Sequence, residues 1–139
     1  MSDILDNHHI WDVRRDLHDL EQEYRRLLAK TASVWQPTLV SYINTMMNEF
    51  PSIECIWWLQ YTPYFNDGSE CKFQIHTIHL EDENGEEIDF PGKLLDAYYE
   101  IESLLTDDPK LMLLSFGDHC RVSFNKGDEE FTIENYNHE

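Results

Sequence analysis

The chain has 139 residues, with 10 Lys plus Arg against 28 Asp plus Glu, a formal charge of −18 with histidines neutral. That length fits one domain, and 41% hydrophobic with 13% aromatic residues argues against a disordered acidic chain. No apolar run reaches the roughly 18 residues of a membrane span, and the first residues lack the basic-then-apolar order of a signal peptide, so a cytoplasmic protein is expected.

Ile10, Val13, Leu17, Leu20, Tyr24 and Leu27 are spaced 3, 4, 3, 4, 3, the apolar seam of an amphipathic helix with a near-heptad period. Such a seam packs against a neighbouring helix of the same chain or against a second copy. A second helix is expected from Pro37, a residue tolerated in a first turn, with Leu39, Tyr42, Ile43, Met46, Met47 and Phe50 on one face. Thr31 to Gln36 then reads as a short connection, making residues 3–50 a helical hairpin.

The pattern changes at Ile53. Ile53 to Thr62 is aromatic and β-branched without Gly or Pro, and reads as a buried strand with Ile53, Cys55, Trp57, Leu59 and Tyr61 on one face. Pro63 ends it, and Asn66-Asp67-Gly68 signals a tight turn. Cys71 to Leu80 is the return strand, and Asn84-Gly85 leads to a short third strand, Glu87 to Phe90. Leu94, Leu95, Tyr98, Ile101, Leu104 and Leu105 give a helical face that ends at Asp107-Asp108-Pro109. Cys120 to Phe124 and Phe131 to Asn135 form a last hairpin. The expected fold is a single α+β domain over residues 1–139: an N-terminal helical hairpin (3–50), then a three-stranded antiparallel meander, a helix and a C-terminal β-hairpin (51–139). Its helices would pack on one face of an antiparallel sheet.

Several chemistries find no support. The five glycines are scattered and form no phosphate-cradling loop. There is no G-x-S-x-G, and His119 cannot activate Cys120 if both lie on one strand, since adjacent residues point to opposite faces. Cys55, Cys71 and Cys120 are odd in number and form no C-x-x-C, so buried reduced thiols are expected. His76 and His79 are spaced i, i+3, which divides them between the two faces of a strand. His8-His9 reads as a solvated pair. No cofactor and no metal centre is expected from these spacings.

The charge is more informative. Residues 1–40 hold seven acids and five bases, and residues 41–139 hold twenty-one acids and five bases. Such a surface repels phosphate backbones and anionic lipids, which excludes direct nucleic-acid and membrane binding. It suits a basic protein partner, or solubility alone. Glu81, Asp82, Glu83, Glu86, Glu87 and Asp89 place six acids in nine residues around one turn, without the spacing of a calcium loop. Asp107, Asp108, Asp128, Glu129 and Glu130 add two more acidic turns. Trp57 to Gly68 sends Tyr61, Tyr64 and Phe65 out of a strand into a loop, either as core and loop anchors or as an interface platform.

The run Tyr61-Thr-Pro-Tyr-Phe-Asn-Asp-Gly68, then Cys71-x-Phe73, Phe116-Gly-Asp-His119 and Tyr136-x-His138, resembles a family of small bacterial and bacteriophage proteins with no established activity. The likeness spans about residues 50–139 and implies a prokaryotic or phage setting and one shared fold, with no functional residue to carry over.

The expected function is thus a non-enzymatic acidic binding protein, such as a phage counter-defence factor or immunity-type inhibitor of a nucleic-acid-processing protein. The eleven turn acids, with Tyr61, Tyr64 and Phe65, would form its partner surface. A small enzyme or metal-binding protein using Asn66, Asp67, Asp118 and His119 is one alternative. A homodimer built through the residue 10–27 seam is another, so the chain is expected as monomer or homodimer.

Overall fold

The computed structural model describes residues 10–63, 71–89 and 92–136. The order of elements is α1 (Ile10–Glu49), β1 (Cys55–Tyr61), β2 (Gln74–Ile75), β3 (His79–Glu81), α2 (Lys93–Thr106), α3 (Pro109–Phe116), β4 (Cys120–Asn125) and β5 (Thr132–Asn135). The strands make one antiparallel sheet, so the α+β class is as the sequence predicts. The chain divides into two compact units, residues 1–31 and 32–139. The packed core lies wholly in the second.

The helical hairpin is not formed. Ile10 to Glu49 is one helix with Pro37 in its interior. Pro37 removes one backbone donor, but the flanking sequence holds no glycine to end the helix. Hydroxyls reinforce the turns, Thr38 Oγ1 donating to the Val34 carbonyl (2.7 Å) and Ser41 Oγ to that of Pro37 (3.3 Å). Within the second unit, Trp35 Nε1 donates to Met112 Sδ (3.2 Å) and Gln36 Nε2 to the Ser115 carbonyl, fixing as helix two residues expected in a connection. The expected face from Leu39 to Phe50 does form: Leu39, Ile43, Met46 and Met47 are buried, with Tyr42 and Phe50 packed beside them.

In the first unit the seam is largely exposed among the described residues. Ile10, Leu17, Leu20, Tyr24 and Leu27 are exposed. Its flanks carry the ion pairs Asp12–Arg15, Glu21–Arg25 and Glu23–Arg26, and Arg14 lies over the Trp11 ring at 4.9 Å.

β1 is the central strand. It pairs along one side with β4 and along the other with β3 and then β2. The return strand expected at Cys71 to Leu80 is therefore broken in two. Trp57 faces His79 and Gln60 faces Ile75, so Trp58 and Leu59 are opposed by three residues, His76, Thr77 and Ile78. That is a one-residue β-bulge. The third strand of the meander shrinks to a single bridge between Glu81 and Glu87, and Phe90 lies outside the described residues.

Burial along β1 alternates. Ile56, Trp58 and Gln60 face the helices, while Cys55, Trp57, Leu59 and Tyr61 are half-covered on the opposite face. Trp58 packs edge-on against Phe116 and Phe131. Leu94, Ile101 and Leu105 of α2 and Met112 and Phe116 of α3 close the core over the sheet with Val122 and Phe124. The helix α3 follows the predicted end of α2 at once: Asp108 caps it, accepting from the Leu111 N–H at 3.1 Å, and Pro109 opens its first turn.

Gln60 is the one fully buried amide of the sheet. Its Nε2 donates to the carbonyls of Met112 (3.1 Å) and Gly117 (2.7 Å), and its Oε1 accepts from Trp58 Nε1 (3.0 Å). It ties β1 to the end of α3, where Gly117 takes φ 98°, a value open to glycine.

Candidate functional site: an aromatic sheet face and an acidic cleft

Among the described residues, the helix-free face of the sheet gathers the aromatic side chains that the core does not use. The bulge decides this. By inserting one residue between β2 and β3, it sets His76 and His79 on the same face, correcting the expected division between faces. The His79 ring stacks on Trp57 with centroids 4.0 Å apart and planes 12° from parallel. The His76 ring stacks on Tyr61 at 3.8 Å and 14°. From β4, Arg121 brings its guanidinium to 4.3 Å from the Trp57 ring centroid, a cation–π contact. Tyr136 lies 5.4 Å from Tyr61. Burial, then the neighbouring Tyr136, raises the Tyr61 hydroxyl above its ordinary pKa.

The acidic turn is hydrogen-bonded to this face. Trp57 Nε1 donates to Glu81 Oε2 (3.0 Å), and His79 Nδ1 meets Glu87 Oε1. Asp82 Oδ1 accepts from the N–H groups of Asn84 (2.9 Å) and Glu86 (3.0 Å), which closes the turn. Beside it opens a cleft of about 430 Å³. Five carboxylates line it, from Glu54, Glu81, Asp82, Glu83 and Glu134, against the two cations Arg121 and Lys126. Lys126 is committed locally: its Nζ donates to the Pro51 carbonyl (2.6 Å) and to Glu54 Oε1 (3.2 Å).

The predicted partner residues fall at several places in the described structure. Glu81, Asp82 and Glu83 line the cleft, and Glu86 and Glu87 belong to the same turn, with Asp89 exposed just beyond. Asp107 and Asp108 sit at the α2–α3 junction, where Asp108 is a cap. Asp128 closes the β4–β5 turn by accepting from the Asn125 N–H at 2.9 Å. Glu129 and Glu130 border a different groove of about 620 Å³ with Pro37, Val40, Phe131 and Ile133. Tyr64 and Phe65 lie outside the described residues. Glu54 and Glu134 escape sequence reasoning, because each is a single acid in a strand-like run and only the β1–β4–β5 register brings them to Glu81.

The alternative Asp/His site is described only in part. Asn66 and Asp67 lie outside the described residues. Asp118 clamps the end of β1: its carboxylate accepts from Thr62 N–H and Thr62 Oγ1, both at 2.8 Å, and from the His119 N–H at 2.8 Å. Partial burial works to raise its pKa, but these hydrogen bonds outweigh it and hold the carboxyl below its ordinary value. Among the described residues no three His, Cys, Asp or Glu side chains come together as metal ligands.

All three cysteines are free. Only Cys120 is fully buried, and burial followed by the nearby Asp118 charge pushes its thiol up to about 11. Cys55 and Cys71 are half-exposed, which corrects the expectation that all three are buried. Burial, then the Glu81 charge, raises the Cys55 thiol. Among the described residues no helix is long and apolar enough to cross a membrane.

No family model, no curated protein and no solved structure matches this chain.

Proposed function

We propose that this protein is a non-enzymatic acidic binding protein that seats basic side chains of a partner protein in the cleft beside the Glu81–Glu83 turn. One observation carries the reading: five carboxylates line one open cleft at the edge of a sheet face that the described helices leave free. Lys or Arg from a partner entering there exchanges water for carboxylates already held by the fold. Trp57, held between the His79 ring and the Arg121 guanidinium, and Tyr61, stacked on His76 further along β1, add ring edges already fixed by the fold at little cost in side-chain order.

The partner class follows from the charge. A domain with twenty-one acids against five bases over residues 41–139 steers basic surfaces towards itself and repels nucleic acid. Carboxylates arrayed along a sheet edge stand in for phosphates, so the fitting target is the phosphate-binding surface of a nucleic-acid-processing protein. The setting proposed is the cytoplasm of a bacterial or phage-infected cell, with the protein acting as an inhibitor. In this reading the contact set is Glu54, Glu81, Asp82, Glu83 and Glu134 with Trp57 and Tyr61.

Calorimetric titration with a lysine- and arginine-rich peptide tests the cleft itself. Binding that weakens as salt rises, and that is lost in Glu81→Gln/Glu83→Gln, is expected. Binding that ignores the double substitution would place the basic partner elsewhere.

A further inference from the structure

The seam on the first unit has no function in the reading above. Ile10, Leu17, Leu20, Tyr24 and Leu27 are 59, 62, 67, 54 and 49% exposed, five large apolar side chains in a single row. We propose that a second copy of this chain covers them, in an antiparallel two-stranded coiled coil over residues 10–27.

Three observations select that occupant. The first is the period. The alternating intervals 3 and 4 repeat every seven residues from Ile10 to Tyr24, a period of 3.5, whereas a straight helix drifts about 20° per heptad away from such a row. A row that holds 3.5 stays in contact only with another helix that supercoils around it. The second is the distribution of charge. The residues beyond position 40 carry twenty-one acids against five bases and repel a copy of themselves, while residues 1–40 carry seven against five. Self-association is therefore tolerated best along the seam. The third is complementarity at the flanks. With six seam positions overlapping antiparallel, Ile10 meets Leu27, Val13 meets Tyr24 and Leu17 meets Leu20. Arg14 then lies beside Glu21 of the second copy, twice by symmetry. Asp16 lies beside Glu23, a like-charge contact. Glu21 and Glu23 alike are also paired on their own helix, with Arg25 and Arg26, so the antiparallel arrangement sets one attractive flank against one repulsive one. A parallel, in-register pair instead sets Asp16 against Glu21 on both sides with no attractive flank.

Sedimentation equilibrium on the full chain, over a concentration series, tests this. The native chain is expected as a dimer whose dissociation constant rises more than about tenfold in Leu17→Asp, since a carboxylate is then buried in the seam. Leu17 is exposed in the single chain, so near-ultraviolet circular dichroism of the sheet domain should not change. Glu21→Arg should weaken the dimer by setting Arg14 against a like charge, and Arg14→Glu/Glu21→Arg should restore it. A native chain that stays monomeric throughout, or a dimer indifferent to Leu17→Asp, overturns the proposal. Tighter association of Glu21→Arg alone overturns the antiparallel arrangement.

Discussion

His79 lies flat on Trp57, 4.0 Å away, because three residues of the return strand oppose two of β1. An unbroken strand sends His76 and His79 to opposite faces; the bulge sets both beside aromatic rings of β1. The same extra residue keeps Ile75 and Ile78 turned towards the core, so aromatic face and core packing depend on one backbone irregularity.

Deleting Thr77 tests whether the bulge only sets the register. The shortened strand alternates regularly, with Ile78 opposite Trp58 and His76 opposite Leu59, so both isoleucines stay towards the core and both histidines towards the aromatic face. Chemical denaturation is expected to show a loss of less than about 1 kcal/mol, well below that of a large core truncation. A loss of about 2–4 kcal/mol would mean that the bulge itself, and not only the register, holds the core together.

Gln60→Leu removes a buried amide that serves three partners. Trp58 Nε1 and the carbonyls of Met112 and Gly117 lose their hydrogen bonds in a buried site. A loss of about 2–3 kcal/mol in urea unfolding is expected, with an unchanged denaturant slope. A neutral or stabilising result would show that apolar packing replaces the network.

Asp118 gives the fold a defined acid dependence. Its folded carboxyl sits below the ordinary value, so its contribution is present above the unfolded pKa and is lost as pH falls through the folded one. Asp118→Asn should be less stable than the native chain at neutral pH, and the gap should narrow below about pH 4. A gap independent of pH would mean that the clamp acts through shape rather than charge.

Thiol labelling separates the cysteines. Cys120, with its thiol near 11 and its Sγ against the carbonyls of Phe116 and Gly117, should react only on unfolding. Cys71 and Cys55 should react in the native state. A single rate for all three would contradict the burial pattern.

Much of this architecture is legible in the residues. The apolar face from Leu39 to Phe50, the face of α2 and the last hairpin each follow from spacing and turn residues, because each element buries one side only. β1 is different: Ile56 and Trp58 on one side and Trp57 and Leu59 on the other are all apolar, so alternation carries no sign of which face is core. The continuity of α1 was hidden by Pro37, whose helix-breaking tendency is overridden by contacts of Trp35 and Gln36 with α3. Asp108-Pro109 did carry a start signal for α3, masked by serving also as the end of α2. The cleft was only half visible. Glu81, Asp82 and Glu83 stand out as a run, but Glu54 and Glu134 join them through strand register alone.

The most direct test of the central claim is a pair of pull-downs from a bacterial lysate, using the native chain and Glu81→Gln/Glu83→Gln/Glu134→Gln, each at low and high salt. A basic, nucleic-acid-processing protein is expected to be retained by the native chain at low salt, released at high salt, and absent with the variant. Equal capture by both chains, or no basic protein retained by the native chain at either salt, would contradict it.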